Sequence, residues 1–221
     1  MAATPEEPTS APPETDAAFT RWRNALSSLL TPSPSPLLKD ETTDDPSKTA
    51  KDHERCEKWK EYLLKNSPVI TFLHTSLPAP LTPSHFVCMP CPPTISGGFA
   101  PSIGIVLCQN RLVSQRHLED TLAHELVHVY DHETTSVKWD SCEQYACSEI
   151  RAASLSGECR FMREVRRGFV GFNKGHQSCV KRRATLALSH VPQCQGVLAE
   201  DAVRNVWSRC FADTAPFDEI Y

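Results

Sequence analysis

Five consecutive residues, His124-Glu125-Leu126-Val127-His128, constrain the fold of this chain more than any other feature of its sequence. They form an H-E-x-x-H motif. On an α-helix, residues four apart lie on the same face, so both imidazoles can meet one metal ion. Glu125 is turned about 100° away and can reach a water beside that ion without coordinating it. The motif therefore predicts a helix with His124 and His128 as zinc ligands and Glu125 as a catalytic base.

The residues around the motif support a helix. Leu118, Leu122, Leu126 and Val129 recur with helical spacing and form one apolar stripe. Ser114 is a suitable N-cap ahead of them. The alternative is that the two histidines lie on the surface of an ordinary amphipathic helix.

A catalytic zinc site needs a third protein ligand, and Asp131, His132 and Glu149 are the candidates that follow the motif. Asp131 can join the histidines only if the helix breaks first, because ligands at i, i+4 and i+7 on a straight helix span about 10 Å. We expect residues 132–141 to form a loop and residues 142–155 a second helix. If that helix runs back antiparallel to the first, Glu149 lies level with the histidines. We therefore favour Glu149, whose alternative role is a salt bridge to Arg151.

Ten cysteines are spread over the chain beyond residue 50. They are Cys56, Cys88, Cys91, Cys108, Cys142, Cys147, Cys159, Cys179, Cys194 and Cys210. A disulfide framework, a second metal site and buried thiols are all compatible with this number. Cys88-Met89-Pro90-Cys91 is a lone C-x-x-C, which disfavours a second metal site. We expect disulfides formed in an oxidising compartment, although the spacing does not give the pairing.

The composition of the chain changes near residue 50. Residues 1–50 contain eight of the 18 prolines and carry a net charge of −4, whereas residues 51–221 are neutral overall. We expect residues 1–50 to be a disordered, Pro-rich acidic tail with a short helix around Phe19–Leu30, and residues 51–221 to form the catalytic domain. The N-terminus resembles neither a secretory signal nor a typical mitochondrial transit peptide. No apolar run approaches the length of a membrane span.

The catalytic domain is expected to combine helices with short strands. Asp52–Lys65 and Asp201–Phe211 have the patterns of helices, and Val69–Leu73 and Gly104–Cys108 those of short strands. Gly104–Cys108 precedes the motif helix, so it is a candidate edge strand for an extended peptide substrate. An ordinary core strand is equally compatible with its sequence. We predict an α+β, zincin-like fold that is mostly helical with a small sheet.

Arg160–Arg183 is strongly basic, with eight cationic residues and Glu164 as its single acid. Such a segment can bind anionic lipid or nucleic acid, or it can form a solvated helix face. Residues 173–177 interrupt the helical pattern and are expected to form a loop.

Seven short blocks spread over residues 97–217 carry a further signal. They are Gly97–Phe99, Cys108–Asn110, Thr121–Asp131, Ala146–Ala152, Leu155–Cys159, Cys179–Ala184 and Cys210–Phe217. In this order they resemble the mitochondrial inner-membrane metalloproteases that process a mitochondrially encoded ATP synthase subunit. The resemblance covers roughly residues 55–221 and is far more specific than the zinc motif alone.

The resemblance implies a protein peripheral to the mitochondrial inner membrane on its intermembrane-space side, in agreement with the expected disulfides. It implies removal of the N-terminal propeptide of the proton-channel subunit of ATP synthase. It also implies a separate chaperone role in assembly of the membrane sector, with that subunit as substrate and client and no nucleic-acid partner. His124 and His128 are implied as zinc ligands and Glu125 as the catalytic residue, whereas Glu149 remains an inference from spacing.

The expected reaction is metal-assisted peptide hydrolysis with Glu125 as the base. Tyr130, His132 and Tyr145 are candidate donors to the oxyanion of the transition state. Two other functions stay open. One is a zinc protease that acts on DNA-bound proteins through the basic segment, and the other is a non-proteolytic assembly factor in which the metal site is secondary.

Overall fold

The structure is a computed structural model that describes residues 46–169 and 174–218. These ranges contain helices α1 (Pro46–Asn66) and α2 (Pro68–Thr75), strands β1 (Phe86–Met89), β2 (Gly97–Ala100) and β3 (Gly104–Cys108), and helices α3 (Gln115–Thr135), α4 (Cys142–Leu155), α5 (Phe161–Arg166), α6 (Gly175–Ser189) and α7 (Val197–Ala212). The predicted α+β class, mostly helical with a small sheet, is confirmed. None of the described helices combines the length and apolar character needed to cross a membrane.

Helix α1 begins at Pro46, ahead of the predicted boundary at residue 50, and contains the predicted helix Asp52–Lys65. Residues 1–45, with the predicted short helix around Phe19–Leu30, lie outside the described residues.

The three strands form one sheet in the order β1-β3-β2. Strand β3 pairs in parallel with β1 and antiparallel with β2, so that Ile105 is opposite both Phe86 and Phe99. Gly104–Cys108 is therefore a strand, as predicted, but its proposed role as a substrate-binding edge is wrong. Because neighbours occupy both sides of β3, it has no free edge for a peptide. Among the described residues, β2 is the strand that packs against the motif helix and pairs with a neighbour on one side only.

Two hydrophobic clusters build the interior. The first lies between α1, α2, α3 and the sheet, and it contains the predicted stripe Leu118, Leu122, Leu126 and Val129, which is fully buried. The second lies between α4, α6 and α7. Helices α3 and α4 pack against each other where the two clusters meet, so functional side chains on their facing sides are held by a core on each flank.

The expected disulfide framework is confirmed, and all ten cysteines take part. The pairs are Cys56–Cys88, Cys91–Cys108, Cys142–Cys194, Cys147–Cys210 and Cys159–Cys179. The first connects β1 to α1, and the second connects the end of β3 to the loop between β1 and β2. The other three connect α4 and the residues after it to α6, α7 and the turn between them. Since the two cysteines of the C-x-x-C are bonded to different partners, they do not form a second metal site.

The prediction of a strand at Val69–Leu73 is wrong, because this segment belongs to helix α2. Ser67 caps the helix by accepting a hydrogen bond from the backbone N–H of Ile70, and Pro68 occupies its first turn. Proline is favoured at that position because its missing N–H would have no helical partner. A short apolar run does not by itself distinguish a buried strand from a buried helix.

Other helix boundaries differ from the prediction by a few residues. Helix α3 continues to Thr135, so residues 132–135 belong to the helix rather than to the expected loop. It ends at Ser136, which adopts a left-handed conformation. Helix α6 begins at Gly175, inside the expected loop 173–177, and α7 begins at Val197 rather than at Asp201.

The contact between β2 and α3 depends on the absence of a side chain at Gly97. A Cβ atom there would lie 2.7 Å from Cγ2 of Thr121 on α3 and 3.1 Å from the carbonyl oxygen of Val106, whereas one on Gly98 would meet nothing within 4 Å. Gly97 therefore sets how closely the edge strand approaches the motif helix.

We expect Gly97→Ala to lower the free energy of unfolding by about 1–3 kcal/mol, because the added methyl group overpacks this contact. Gly98→Ala is the matched control and should change it by less than about 0.5 kcal/mol. Denaturant unfolding of both variants checks this, and equal stability would contradict the close contact.

Candidate metal centre and active-site cleft

Helix α3 places the two motif histidines one turn apart on the same face. Ser114 begins the helix as predicted, with its hydroxyl accepting a hydrogen bond from the backbone N–H of His117. The Nε2 atoms of His124 and His128 lie 3.1 Å apart. Both rings sit largely out of solvent, so the motif is not a pair of surface histidines.

Helix α4 adds Glu149 to this pair. Its Oε2 lies 3.6 Å from Nε2 of His124, and its Oε1 lies 3.5 Å from Nε2 of His128. Ligand atoms bound about 2.0–2.1 Å from a tetrahedral zinc ion are about 3.3 Å from one another. The three side chains form a group that could hold one metal ion, and their spacing fits three of its four coordination positions.

Asp131 lies behind His128 rather than in this group. Nδ1 of His128 donates to the hydroxyl of Ser148 at 2.8 Å, and that hydroxyl donates to Oδ2 of Asp131 at 2.8 Å. Arg151 neutralises Asp131 with a 2.9 Å contact from Nε. These hydrogen bonds fix the imidazole ring of His128 so that its Nε2 faces His124 and Glu149.

His124 has a carboxylate behind it as well, and the sequence prediction did not include it. Oε1 of Glu158 lies 3.2 Å from Nδ1 of His124, and Oε2 of Glu158 pairs with Arg183 at 2.9 Å. Glu158 follows the end of α4 and lies in the block Leu155–Cys159 that contributed to the family resemblance. That block was the available signal, although nothing in its spacing to the motif points to His124.

The group is electrostatically unbalanced in favour of negative charge. Burial raises the pKa of Glu125 to about 7, and the charges of Glu149 and Glu158 add to this against the opposing charge of His124 and a hydrogen bond from the backbone of Phe99. Burial lowers the pKa of His128 to about 4. Burial also lowers the pKa of His124, but the two glutamates that face it, Glu158 and Glu149, outweigh burial and raise that pKa. The site therefore favours a positive charge between these side chains, which a bound cation can provide.

A cleft of about 1070 Å³ opens over the group, with β2 and the residues before it on one side and α6 and the turn after it on the other. Trp139 and Tyr145 line the cleft beside His128. Of the three candidate oxyanion donors, Tyr145 alone is among the residues that line it. His132 instead packs between Phe99 and Trp139.

The basic segment is mostly neutralised within the fold. Five of its arginines pair with three buried carboxylates: Arg160 and Arg163 with Asp120, Arg167 and Arg182 with Glu164, and Arg183 with Glu158. Neither a continuous solvated face nor an unpaired basic surface describes these residues. Their main contacts compensate buried negative charge next to α3 and α4.

The comparisons with known proteins agree with this geometry. A family model described as Peptidase M76 family matches residues 54–218. The chain is 46% identical over 201 residues to the mitochondrial inner membrane protease ATP23 of Mycosarcoma maydis, covering 77% of this chain and 93% of the relative. It is 45% identical over 214 residues to the protein of that name in Neosartorya fischeri, covering 93% and 90%. The Saccharomyces cerevisiae protein of that name is 42% identical over 220 residues, covering 93% and 97%. No solved structure matches the chain significantly.

Loss of an outer hydrogen-bond partner weakens metal binding by about 10–100-fold. We expect Glu149→Gln to weaken divalent-metal binding by more than this, because the substitution removes an anionic member of the group itself. Glu143→Gln is the matched control, since Glu143 lies on the same helix and its side chain contacts Asn205 away from the group. Metal content after equilibrium dialysis, measured by mass spectrometry, checks this. Unchanged metal content in Glu149→Gln would remove Glu149 from the site.

Proposed function

The chain belongs to the peptidase M76 family, and from this premise we propose that it is a zinc-dependent endopeptidase with a zincin-like catalytic domain. In this proposal the metal ligands are His124, His128 and Glu149, and the catalytic residue is Glu125. The observation that carries it is the spacing of the Nε2 atoms of His124 and His128 on α3 and the carboxylate of Glu149 on α4, which suits a tetrahedral ion. The residue that follows His124 is the buried Glu125.

Zinc, when bound by these three side chains, supplies a Lewis acid that lowers the pKa of a water and polarises a peptide carbonyl. Glu125 accepts the proton of the attacking water and then donates it to the nitrogen of the leaving peptide. Its carboxylate is held for this task between α3 and β2, where the backbone of Phe99 hydrogen-bonds to it. Tyr145 lines the cleft and is the candidate donor to the developing oxyanion.

Strand β2 is the surface we propose for the substrate backbone. It is the edge of the sheet that borders the cleft, and residues 94–99 contribute to the cleft wall. An extended peptide can pair with such an edge through main-chain hydrogen bonds, which bind with little dependence on sequence. Gly97 brings that edge against α3, so the bound peptide would pass beside Glu125.

We further propose that the substrate is the N-terminal propeptide of the mitochondrially encoded proton-channel subunit of ATP synthase. The sequence blocks support this substrate, and the names of the relatives support a place at the mitochondrial inner membrane. Five disulfides favour an oxidising compartment, in keeping with peripheral attachment on the intermembrane-space side. A separate chaperone role in assembly of the membrane sector belongs to the same proposal. The ion pairs of the basic segment give no support to a protease that acts on DNA-bound proteins.

We expect Glu125→Gln to lower peptide hydrolysis by about 10²–10⁴-fold, because the amide cannot accept a proton, while metal content and fold are retained. The N-terminus of the proton-channel subunit, determined by mass spectrometry in cells with either protein, checks the substrate. Retained propeptides with the variant and mature ends with the wild type are expected where that subunit is made with a propeptide. Mature ends in both would contradict the proposed cleavage.

Assembly of the membrane sector in the Glu125→Gln cells, followed by native gel electrophoresis, separates the two roles. Normal assembly with unprocessed subunit is expected if the chaperone role does not need proteolysis. If neither processing nor assembly occurs in these cells, assembly requires processing.

A further inference from the structure

We infer that Glu158 is the positioning residue that holds His124 toward the metal, and that Arg183 holds the Glu158 side chain in the orientation this needs. The inference rests on the proposed metal site and goes beyond its ligands. Nε2 of His124 points into the group formed with His128 and Glu149, and Nδ1 on the other side of the ring faces Oε1 of Glu158 at 3.2 Å.

The two atoms that face each other are enclosed by the fold and make no hydrogen bond to another described residue. Nδ1 of His124 and Oε1 of Glu158 are both buried and lie 3.2 Å apart, and within the described part of the chain neither makes a hydrogen bond with any partner. Buried polar atoms in native proteins almost always have a partner. At 3.2 Å each of these atoms is the available partner of the other, and we assign the Nδ1–H of His124 to this carboxylate.

The two motif histidines are supported in different ways. His128 donates to the neutral hydroxyl of Ser148, which separates it from Asp131. His124 faces a carboxylate directly, with no intervening group. A direct carboxylate partner fixes the tautomer and makes the opposite ring nitrogen a stronger metal ligand. Glu158 thus has a greater influence on metal affinity than Asp131 has through Ser148.

The local fold holds Glu158 in place from both sides. Gly157, with a φ of +85° that favours glycine, turns the chain at the end of α4 so that Glu158 points back to α3. The next residue, Cys159, is bonded to Cys179 on α6. Arg183 lies four residues after Cys179, on the same face of that helix. The disulfide therefore brings the helix that carries the arginine to the segment that carries the glutamate.

A purely structural ion pair would not need this arrangement. A buried ion pair adds little net stability, because desolvation offsets most of the attraction between the charges. Arg183 is 40% exposed in its side chain, whereas Glu158 is 10% exposed, so the buried member of the pair is the one that faces the histidine.

The test compares Glu158→Gln with Glu164→Gln. Glu164 is a matched control because it is equally buried and pairs with two arginines but touches neither histidine. We expect Glu158→Gln to weaken Zn²⁺ binding about 10–100-fold, measured by competition with a chromophoric chelator, and to alter the visible absorption spectrum of the Co²⁺-substituted protein. Glu164→Gln should leave both unchanged. A folded Glu158→Gln with wild-type affinity and spectrum overturns the inference.

The double variant Glu158→Gln/Arg183→Gln separates positioning from charge balance. It removes the uncompensated arginine that would destabilise the single variant, yet it does not restore a carboxylate beside His124. We expect recovered thermal stability with Zn²⁺ affinity still lowered, and recovery of affinity would overturn the inference. A loss of metal affinity as large as that of Glu149→Gln would make Glu158 a ligand and overturn its positioning role. If the wild-type protein itself binds no Zn²⁺, the proposed metal site fails and this role fails with it.

Discussion

Buried negative charge is the constraint on which the rest of this structure depends. Six carboxylates on or near α3, α4 and α5 are buried: Asp120, Glu125, Asp131, Glu149, Glu158 and Glu164. Leaving one such charge unpaired inside a protein costs several kcal/mol, so each needs a compensating cation. Four of the six have an arginine partner. In the described residues, Glu149 has none and faces the two histidines instead, where the proposed metal ion would supply the missing charge. Glu125 also has none, and burial raises its pKa to about 7.

This requirement explains why elements distant in sequence converge on the motif helix. The arginines on α5 and α6 extend toward carboxylates on α3 and after α4, and Arg151 on α4 neutralises Asp131 on α3. Arg151 also donates to the carbonyl oxygens of Asp213 and Ala215, which ties the residues after α7 to the same network. Disulfides also connect α4 and the residues after it to α6, α7 and the turn between them. The same contacts that stabilise the fold therefore orient the two motif histidines.

The edge strand belongs to the same assembly. Because Gly97 lacks a side chain, β2 approaches α3 closely enough for the backbone of Phe99 to meet Glu125. The cleft is thus lined by the carboxylate proposed as the base, by a group of metal-binding geometry and by a strand that pairs on one side only within the described residues. This juxtaposition suits hydrolysis of an extended polypeptide segment better than the binding of a compact small molecule.

The sequence by itself determined the motif helix, its apolar stripe, its cap and the α+β class, because these follow from spacing within one element or from local propensity. It also predicted that Glu149 would lie beside the histidines, since two short helices joined by a short loop leave few registers. Only the tertiary structure decided which strand is the edge, how ten cysteines pair, and that the basic segment turns inward to buried acids. It alone brought Glu158 to His124. These outcomes depend on contacts between distant segments, and a residue's local sequence does not specify which distant charge it will neutralise.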